Sequence, residues 1–148
     1  MMALKLCVLS VEKHLSSKDI KHPYKTIFRD GEYYYGQHLI GHCQNCNNNI
    51  LSTEKIREFL ISLCEVIDMV RFGDPLVARF GNGLEVGVSA VQLIETSAIV
   101  VHTNDSALEM YIDVFSCKDY SVVDAKNEII KWFGSKKFII DTEVLLRE

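Results

Sequence analysis

The chain has 148 residues, of which 48% are hydrophobic, and it contains two prolines. This length and composition predict one folded domain with a substantial core and argue against disorder. The net charge of −4 gives no reason to expect nucleic acid or an anionic membrane surface as a partner, and no apolar run approaches the roughly 20 residues of a membrane span.

The N-terminal part of the chain carries few signals. Residues 4–9 form a short apolar run without a convincing signal-peptide cleavage site, and we interpret them as a β-strand of a cytoplasmic protein. Five cysteines, an odd number without the spacing of a disulfide framework, also favour a reducing compartment. Residues 10–31 read as a polar connection, and we interpret residues 1–33 as an N-terminal extension of the single domain.

Three consecutive tyrosines, Tyr33 to Tyr35, lead into a strand predicted over residues 35–43. They are compatible with a substrate-stacking surface, although such residues more often cover a sheet edge or an interface. His38 and His42 lie on the same face of the predicted strand because side chains alternate along it.

A compact group of histidine and cysteine residues follows: His38, His42, Cys43 and Cys46. Zinc takes such ligands, but no second pair of ligands follows in the sequence. On a strand, His42 and Cys43 also point to opposite faces. Packing and an Asn-rich turn are therefore the more usual explanation, and we expect no metal.

Two segments have helical patterns. Apolar residues recur at helical spacing after Ser52 and Thr53, either of which suits the N-terminal cap of a helix. These apolar positions are Ile56, Phe59, Leu60, Leu63, Ile67 and Val70. Ser121 begins a pattern that resembles a capping box, so a second helix is predicted through Trp132 and ends at Gly134.

Strand patterns account for most of the remaining chain. A strand is predicted over residues 76–80, followed by a hairpin turn at residues 81–83. Apolar, β-branched runs then predict strands over residues 86–94, 99–102 and 110–115, and a last strand over residues 137–146. Strands that are interrupted by two helices and mostly joined by hairpins predict an α+β fold. This fold is a two-layer sandwich, with an antiparallel sheet and both main helices on one of its faces.

Four nucleophilic or proton-transferring side chains lie in or beside these last runs: Ser89, Ser97, His102 and Cys117. Antiparallel strands with short turns would bring them close together. Taken singly, each has a structural explanation, because a buried serine is usually bonded to backbone and a buried cysteine behaves as a small hydrophobic residue.

The pattern around these four residues resembles the small, prokaryotic-type S-adenosylmethionine decarboxylases. That family reads Gly-Val-Ser-Gly, about six apolar residues, Glu-Ser-His, three residues, His-Thr, and a strand that ends Asp-Ile-Phe-Thr-Cys. With the same spacing, the chain has Gly87-Val88-Ser89-Ala90, Thr96-Ser97-Ala98, His102-Thr103 and Asp113-Val114-Phe115-Ser116-Cys117. The upstream residues Gly36-Gln37-His38-Leu39, Cys46 and Ile50-Leu51 are similar to the family's opening strand.

The resemblance implies a proenzyme that cleaves itself between Thr96 and Ser97 and converts Ser97 into a pyruvoyl cofactor. By the same resemblance, His102 is the base that removes the α-proton during processing, and Ser89 assists that processing. In the mature enzyme the pyruvoyl group at position 97 would form a Schiff base with the amine of a small-molecule substrate, and Cys117 would return a proton as general acid. The resemblance also implies a homodimer with its active sites near the interface.

Some positions depart from the family pattern. Thr96 replaces a glutamate, which is permissible because the reaction uses the backbone carbonyl. Ala98 replaces a histidine. The family's Trp-Pro-Glu, whose glutamate contacts ribose hydroxyls, is absent, and Asp105 is the nearest candidate substrate-binding residue. No aromatic residue precedes Ser89 at the spacing where the family stacks adenine. The residues that form the cofactor therefore match the family better than the substrate pocket does.

Three functions remain open from the sequence. The first is an S-adenosylmethionine decarboxylase that makes the aminopropyl donor for polyamine and spermidine biosynthesis. The second is a pyruvoyl-dependent decarboxylase of another amino acid, arginine or ornithine. The third is an unprocessed, non-catalytic relative that acts as a binding or partner subunit.

Overall fold

The structure, a computed structural model, describes residues 24–135 and 137–142, so the strand predicted over residues 4–9 lies outside the described residues. The strands are β1 (Ile27–Arg29), β2 (Glu32–Tyr34), β3 (Gln37–Gln44), β4 (Leu76–Phe80), β5 (Gly87–Ile94), β6 (Ser97–Asn104), β7 (Glu109–Ser116) and β8 (Lys137–Thr142), and the helices are α1 (Thr53–Val66) and α2 (Val122–Phe133). Strands β3 to β8 correspond to the six strands predicted over residues 35–146, with shifted ends.

Six strands form one antiparallel sheet in the order β4-β5-β6-β7-β3-β8. Strands β1 and β2 form a separate two-stranded hairpin. Helices α1 and α2 pack together and against one face of the large sheet, and the described residues leave its other face uncovered. The predicted α+β sandwich is confirmed.

The helix ends follow from local side-chain chemistry. The Ser52 hydroxyl accepts a hydrogen bond from the backbone N–H of Lys55 at 3.2 Å, and the Ser121 hydroxyl accepts one from that of Asp124 at 3.1 Å. Gly134 ends α2 in the left-handed conformation, with φ of 56°, which glycine adopts without steric cost. These predicted caps are confirmed.

Two expectations about element boundaries are wrong. Helix α1 ends at Val66, and Val70 is 59% exposed, because Asp68 adopts a left-handed φ of 54° and turns the chain away from the helix. The predicted polar connection over residues 10–31 includes strand β1, whose Ile27 is completely buried. The reason is that burial of this one apolar side chain stabilises a strand within an otherwise polar stretch.

The core lies between the sheet and the helices. The inner face of the sheet contributes Leu39, Cys43, Val88, Ile99, Val101, Met110 and Val114, and the helices contribute Ile56, Phe59, Leu60, Leu63, Ile129 and Phe133, all of them completely buried. Within the described residues, no helix is long and apolar enough to cross a membrane.

The connections on either side of β5 differ from the prediction. Strands β5 and β6 are joined by the two-residue turn Glu95-Thr96, since Ile94 pairs directly with Ser97. Strand β6 therefore begins earlier than predicted. The connection between β4 and β5 is longer than the predicted turn at residues 81–83, because it includes a 3-10 turn at Gly83–Glu85.

Candidate active site

Ser97 is the first residue of β6 and has an unusual backbone conformation. Its φ is 149°, in a region that residues with a Cβ atom rarely adopt. Holding such a conformation costs on the order of 1–3 kcal/mol and persists only where the surrounding structure enforces it. The strain lies at the peptide bond that the sequence predicts to break.

The carbonyl group of that bond has a hydrogen-bond donor. The backbone N–H of Cys117 donates to the Thr96 carbonyl oxygen at 3.0 Å. A fixed donor of this kind polarises a carbonyl and stabilises negative charge that develops on its oxygen when a nucleophile attacks. The Thr96 side chain is held as well, because its hydroxyl oxygen lies 2.9 Å from that of buried Ser116.

Ser89 and His102 form a second group, on the uncovered face of the sheet. They are directly opposite each other on β5 and β6, and Ser89 Oγ lies 2.8 Å from His102 Nδ1. An imidazole with a hydroxyl partner is equipped for proton transfer in either direction. His102 is exposed, so its ring is accessible from outside the chain.

The four predicted residues do not form one cluster within a single chain. Ser97 and His102 are five residues apart on β6, which separates their Cα atoms by about 16 Å at 3.3 Å per residue. The structure instead places Cys117 beside the Thr96–Ser97 bond and His102 beside Ser89. The sequence expectation failed here because it considered which strands were neighbours but not the positions of the residues along them.

Asp105 follows β6 and lies at the same end of the strand as His102. Its backbone N–H bonds to the carbonyl of Val86, the residue before β5. One of its carboxylate oxygens forms an ion pair with Arg79, while the other is buried and has no hydrogen-bond partner among the described residues. The negative charge of the predicted substrate-binding residue is therefore already balanced by an arginine.

Two further pairs on the uncovered face were not identified as a site from the sequence. His38 contacts Asp113, and the His42 ring stacks on Tyr111 with centroids 4.5 Å apart. Asp113 and Tyr111 line a concavity of about 200 Å³ together with Ile40, Gly41, Val100, His102 and Ile112. The alternation of polar residues on β7 was the available signal.

The cysteines near His42 lie on the other side of the sheet. Cys43 and Cys46 are buried in the core, where a hydrogen bond between their thiols, together with burial, raises the pKa of Cys43 well above its usual range. The same hydrogen bond lowers the pKa of Cys46. Among the residues that the structure describes, no group of three or more His, Cys, Asp and Glu side chains is arranged to hold a metal ion.

Comparison with known proteins agrees with this arrangement. A family model described as S-adenosylmethionine decarboxylase matches residues 37–144. The arginine decarboxylase proenzyme of Caldivirga maquilingensis is 33% identical over 105 residues, which are 70% of this chain and 78% of that protein. The S-adenosylmethionine decarboxylase proenzyme of Saccharolobus islandicus is 29% identical over 107 residues, 72% of this chain and 84% of that protein.

A third relative, the arginine decarboxylase proenzyme of Pyrobaculum arsenaticum, is 25% identical over 108 residues, 72% of this chain and 80% of that protein. The matched region contains the strained serine, the polarised carbonyl and the Ser–His pair. The chain therefore belongs to the S-adenosylmethionine decarboxylase family, whose proenzymes generate their own pyruvoyl group and use it to decarboxylate a small-molecule substrate.

Proposed function

We propose that this chain cleaves itself between Thr96 and Ser97 and that the pyruvoyl group formed from Ser97 makes it a decarboxylase. The observation that carries the proposal is the strained Ser97 backbone next to a carbonyl that accepts a hydrogen bond from Cys117. These residues fit the formation of the group, because one supplies the nucleophile and the other stabilises the charge on the attacked oxygen.

The cleavage begins with an acyl shift. Ser97 Oγ bonds to the Thr96 carbonyl carbon and loses its proton, and the bond from that carbon to the Ser97 nitrogen breaks, leaving an ester and a free amine. During the attack the Thr96 oxygen carries negative charge, which the Cys117 N–H stabilises. The strained φ of Ser97 is released when the peptide bond breaks.

Elimination and hydrolysis complete the cleavage. A base removes the α-proton of Ser97, the ester C–O bond breaks, and Thr96 leaves as a carboxylate. Hydrolysis of the resulting dehydroalanine releases ammonia and leaves the pyruvoyl group. We assign the base to His102, which Ser89 orients through their 2.8 Å contact.

The pyruvoyl ketone supplies an electron-accepting group for the loss of CO2 from a bound amino acid. The residues of the chain then have two tasks, which are to hold the substrate and to return a proton to the carbon that lost CO2. Cys117 is placed for the second task, since its backbone lies beside the Thr96–Ser97 bond and its side chain is only partly buried. We assign the general acid to its thiol.

The separation of the two groups along β6 supports a homodimer. A second copy related by a two-fold axis, packed against the uncovered sheet face, would supply His102 and Ser89 to the Ser97 of the first copy. That face carries large exposed apolar side chains: Leu76, Phe80, Leu93, Val100 and Tyr111. Because a monomer rarely exposes so many apolar residues on one surface, a second copy is the natural partner.

Complementation between two inactive variants tests this shared site. Chains with Ser97→Ala and chains with His102→Ala are co-expressed and purified as a mixture. In a shared site, each mixed dimer contains one complete set of residues, so the His102→Ala chain should be cleaved. Denaturing gels of the mixture and of each variant alone measure this cleavage. If His102 serves Ser97 of its own chain, the mixture will remain uncleaved.

Two substrates have specific support. S-Adenosylmethionine is favoured by the family model, and it would place the protein in polyamine biosynthesis. Arginine is favoured by the relative from Caldivirga maquilingensis and by the pairing of Asp105 with Arg79, which reduces its ability to hold ribose hydroxyls. The cytoplasmic location stays a prediction.

Intact-mass spectrometry of the denatured protein is the direct test of the proposed function. We expect two chains, separated after Thr96, with the second carrying pyruvoyl in place of serine. Release of CO2 from S-adenosylmethionine, arginine and ornithine then identifies the substrate. A single uncleaved mass after long incubation would contradict the proposal and favour the non-catalytic partner subunit.

A further inference from the structure

The hairpin of β1 and β2 precedes the region that matches the family model, yet it packs beside the reactive peptide bond. The Thr26 hydroxyl donates to the Cys117 carbonyl at 2.7 Å, and the Arg29 guanidinium forms an ion pair with Asp119 at 2.6 Å. Ile27 is completely buried beneath the hairpin. The hairpin is therefore attached to the same segment that polarises the Thr96 carbonyl.

An aromatic surface lies where this hairpin meets the sheet. The rings of Tyr35 and Phe115 are 6.4 Å apart between centroids, and Tyr24 contacts Tyr35 edge-on at 6.0 Å. Gly36 permits this arrangement, because a Cβ atom there would lie 2.5 Å from the Phe115 ring. The Tyr35 side chain remains 39% exposed. A ring that is partly exposed and supported by a neighbouring ring is suited to stacking.

The register of the sheet relates this surface to the reactive serine. Phe115 is directly opposite Ala98, the residue after Ser97, and Ser97 itself is opposite Ser116, which pairs in turn with Gln37 at the start of β3. The beginning of β3, next to Tyr35, is thus two interstrand spacings from Ser97, about 10 Å. A substrate whose reacting amine lies at Ser97 can reach Tyr35 only with a group several bonds from its α-carbon.

We propose that the β1–β2 hairpin is a substrate-binding element and that Tyr35, supported by Phe115, stacks on the planar, nitrogen-rich group at the far end of the substrate. Adenine and guanidinium share this chemistry: each is flat, delocalised and able to stack on an aromatic face. Ala98, which replaces the family's histidine opposite Phe115, removes a polar side chain from the same surface. The proposal rests on the proposed function, because that function places the substrate amine at Ser97.

Ligand binding to the uncleavable Ser97→Ala chain tests the stacking separately from the chemistry. Titration calorimetry with S-adenosylmethionine and with arginine should show one of them binding. Adding Tyr35→Ala should raise its Kd by about 5- to 30-fold, the usual effect of losing one stacked ring. Tyr35→Phe keeps the ring and should stay within about twofold of the parent. In the processed enzyme, Tyr35→Ala should raise KM more than it lowers kcat.

Tyr33→Ala is the matched control, because Tyr33 lies on the same hairpin but packs on Phe28, with centroids 4.8 Å apart. It should leave Kd unchanged. Equal effects of Tyr33→Ala and Tyr35→Ala, an unchanged Kd in Tyr35→Ala, or binding of neither ligand would overturn the proposal. If the parent protein is never cleaved but Tyr35→Ala still weakens binding, the proposed function fails and the stacking surface stands.

Discussion

Ser97→Ala is expected to leave the protein as a single chain of full length, with decarboxylation at the background of a sample without enzyme. The substitution removes the only oxygen that can attack the Thr96 carbonyl from within the bond and removes the precursor of the pyruvoyl group. The strained backbone and the Cys117 N–H remain, so the measurement isolates the chemical role of the hydroxyl. Intact mass and CO2 release are the measurements.

Ser106→Ala is the matched control for this prediction. Ser106 is an exposed serine in the loop after β6, where its hydroxyl donates to the carbonyl of Leu84 at 3.3 Å and does not approach the reactive bond. It should be cleaved as fast as the parent protein. Cleavage of the Ser97→Ala chain after Thr96 would mean that another group attacks the carbonyl, and the assignment of Ser97 would be wrong.

His102→Gln is expected to slow the formation of the cleaved chains by about 100- to 10,000-fold, the usual contribution of a positioned general base. The acyl shift does not require removal of the α-proton, so ester should accumulate in chains of unchanged mass. Because hydroxylamine cleaves esters far faster than amides, it should split these chains after Thr96. Mass spectrometry before and after hydroxylamine treatment gives the measurement.

His42→Gln provides the comparison, since His42 lies on the same sheet face and contacts Glu109 at 3.3 Å rather than Ser89. We expect it to process at nearly the parental rate. The role of His102 as the base would be refuted by His102→Gln chains that form pyruvoyl as fast as the parent. If hydroxylamine releases no fragment, the base acts before the ester forms, and the order of steps must be revised.

The types and order of the elements follow from local patterns in the chain. Periodicity identified α1, α2 and the strands from β3 onward, and hydroxyl caps at Ser52 and Ser121 marked where the helices begin. Local rules succeed here because a cap or a hydrophobic period depends on residues within a few positions of one another. The same rules failed at Val70, where a left-handed residue ended the helix within an unbroken apolar pattern.

The identity of the candidate site also came from the linear sequence. The residues that match the family are close together along the chain, and their spacing survives in β5, β6 and β7. The short β1–β2 hairpin could not be found in this way. Its strands are three residues each, and a single buried side chain, Ile27, holds it to the domain. Such an element depends on its contacts rather than on any periodicity.

By itself, the sequence determined the fold class, the helix caps and the residues available for self-cleavage. Only the tertiary structure decided how those residues are distributed, with Cys117 beside the Thr96–Ser97 bond and His102 far along the same strand. The physical reason is that the register of β6 against β7 and the φ of Ser97 result from long-range pairing. Pairing between distant segments sets distances that spacing along the chain does not contain.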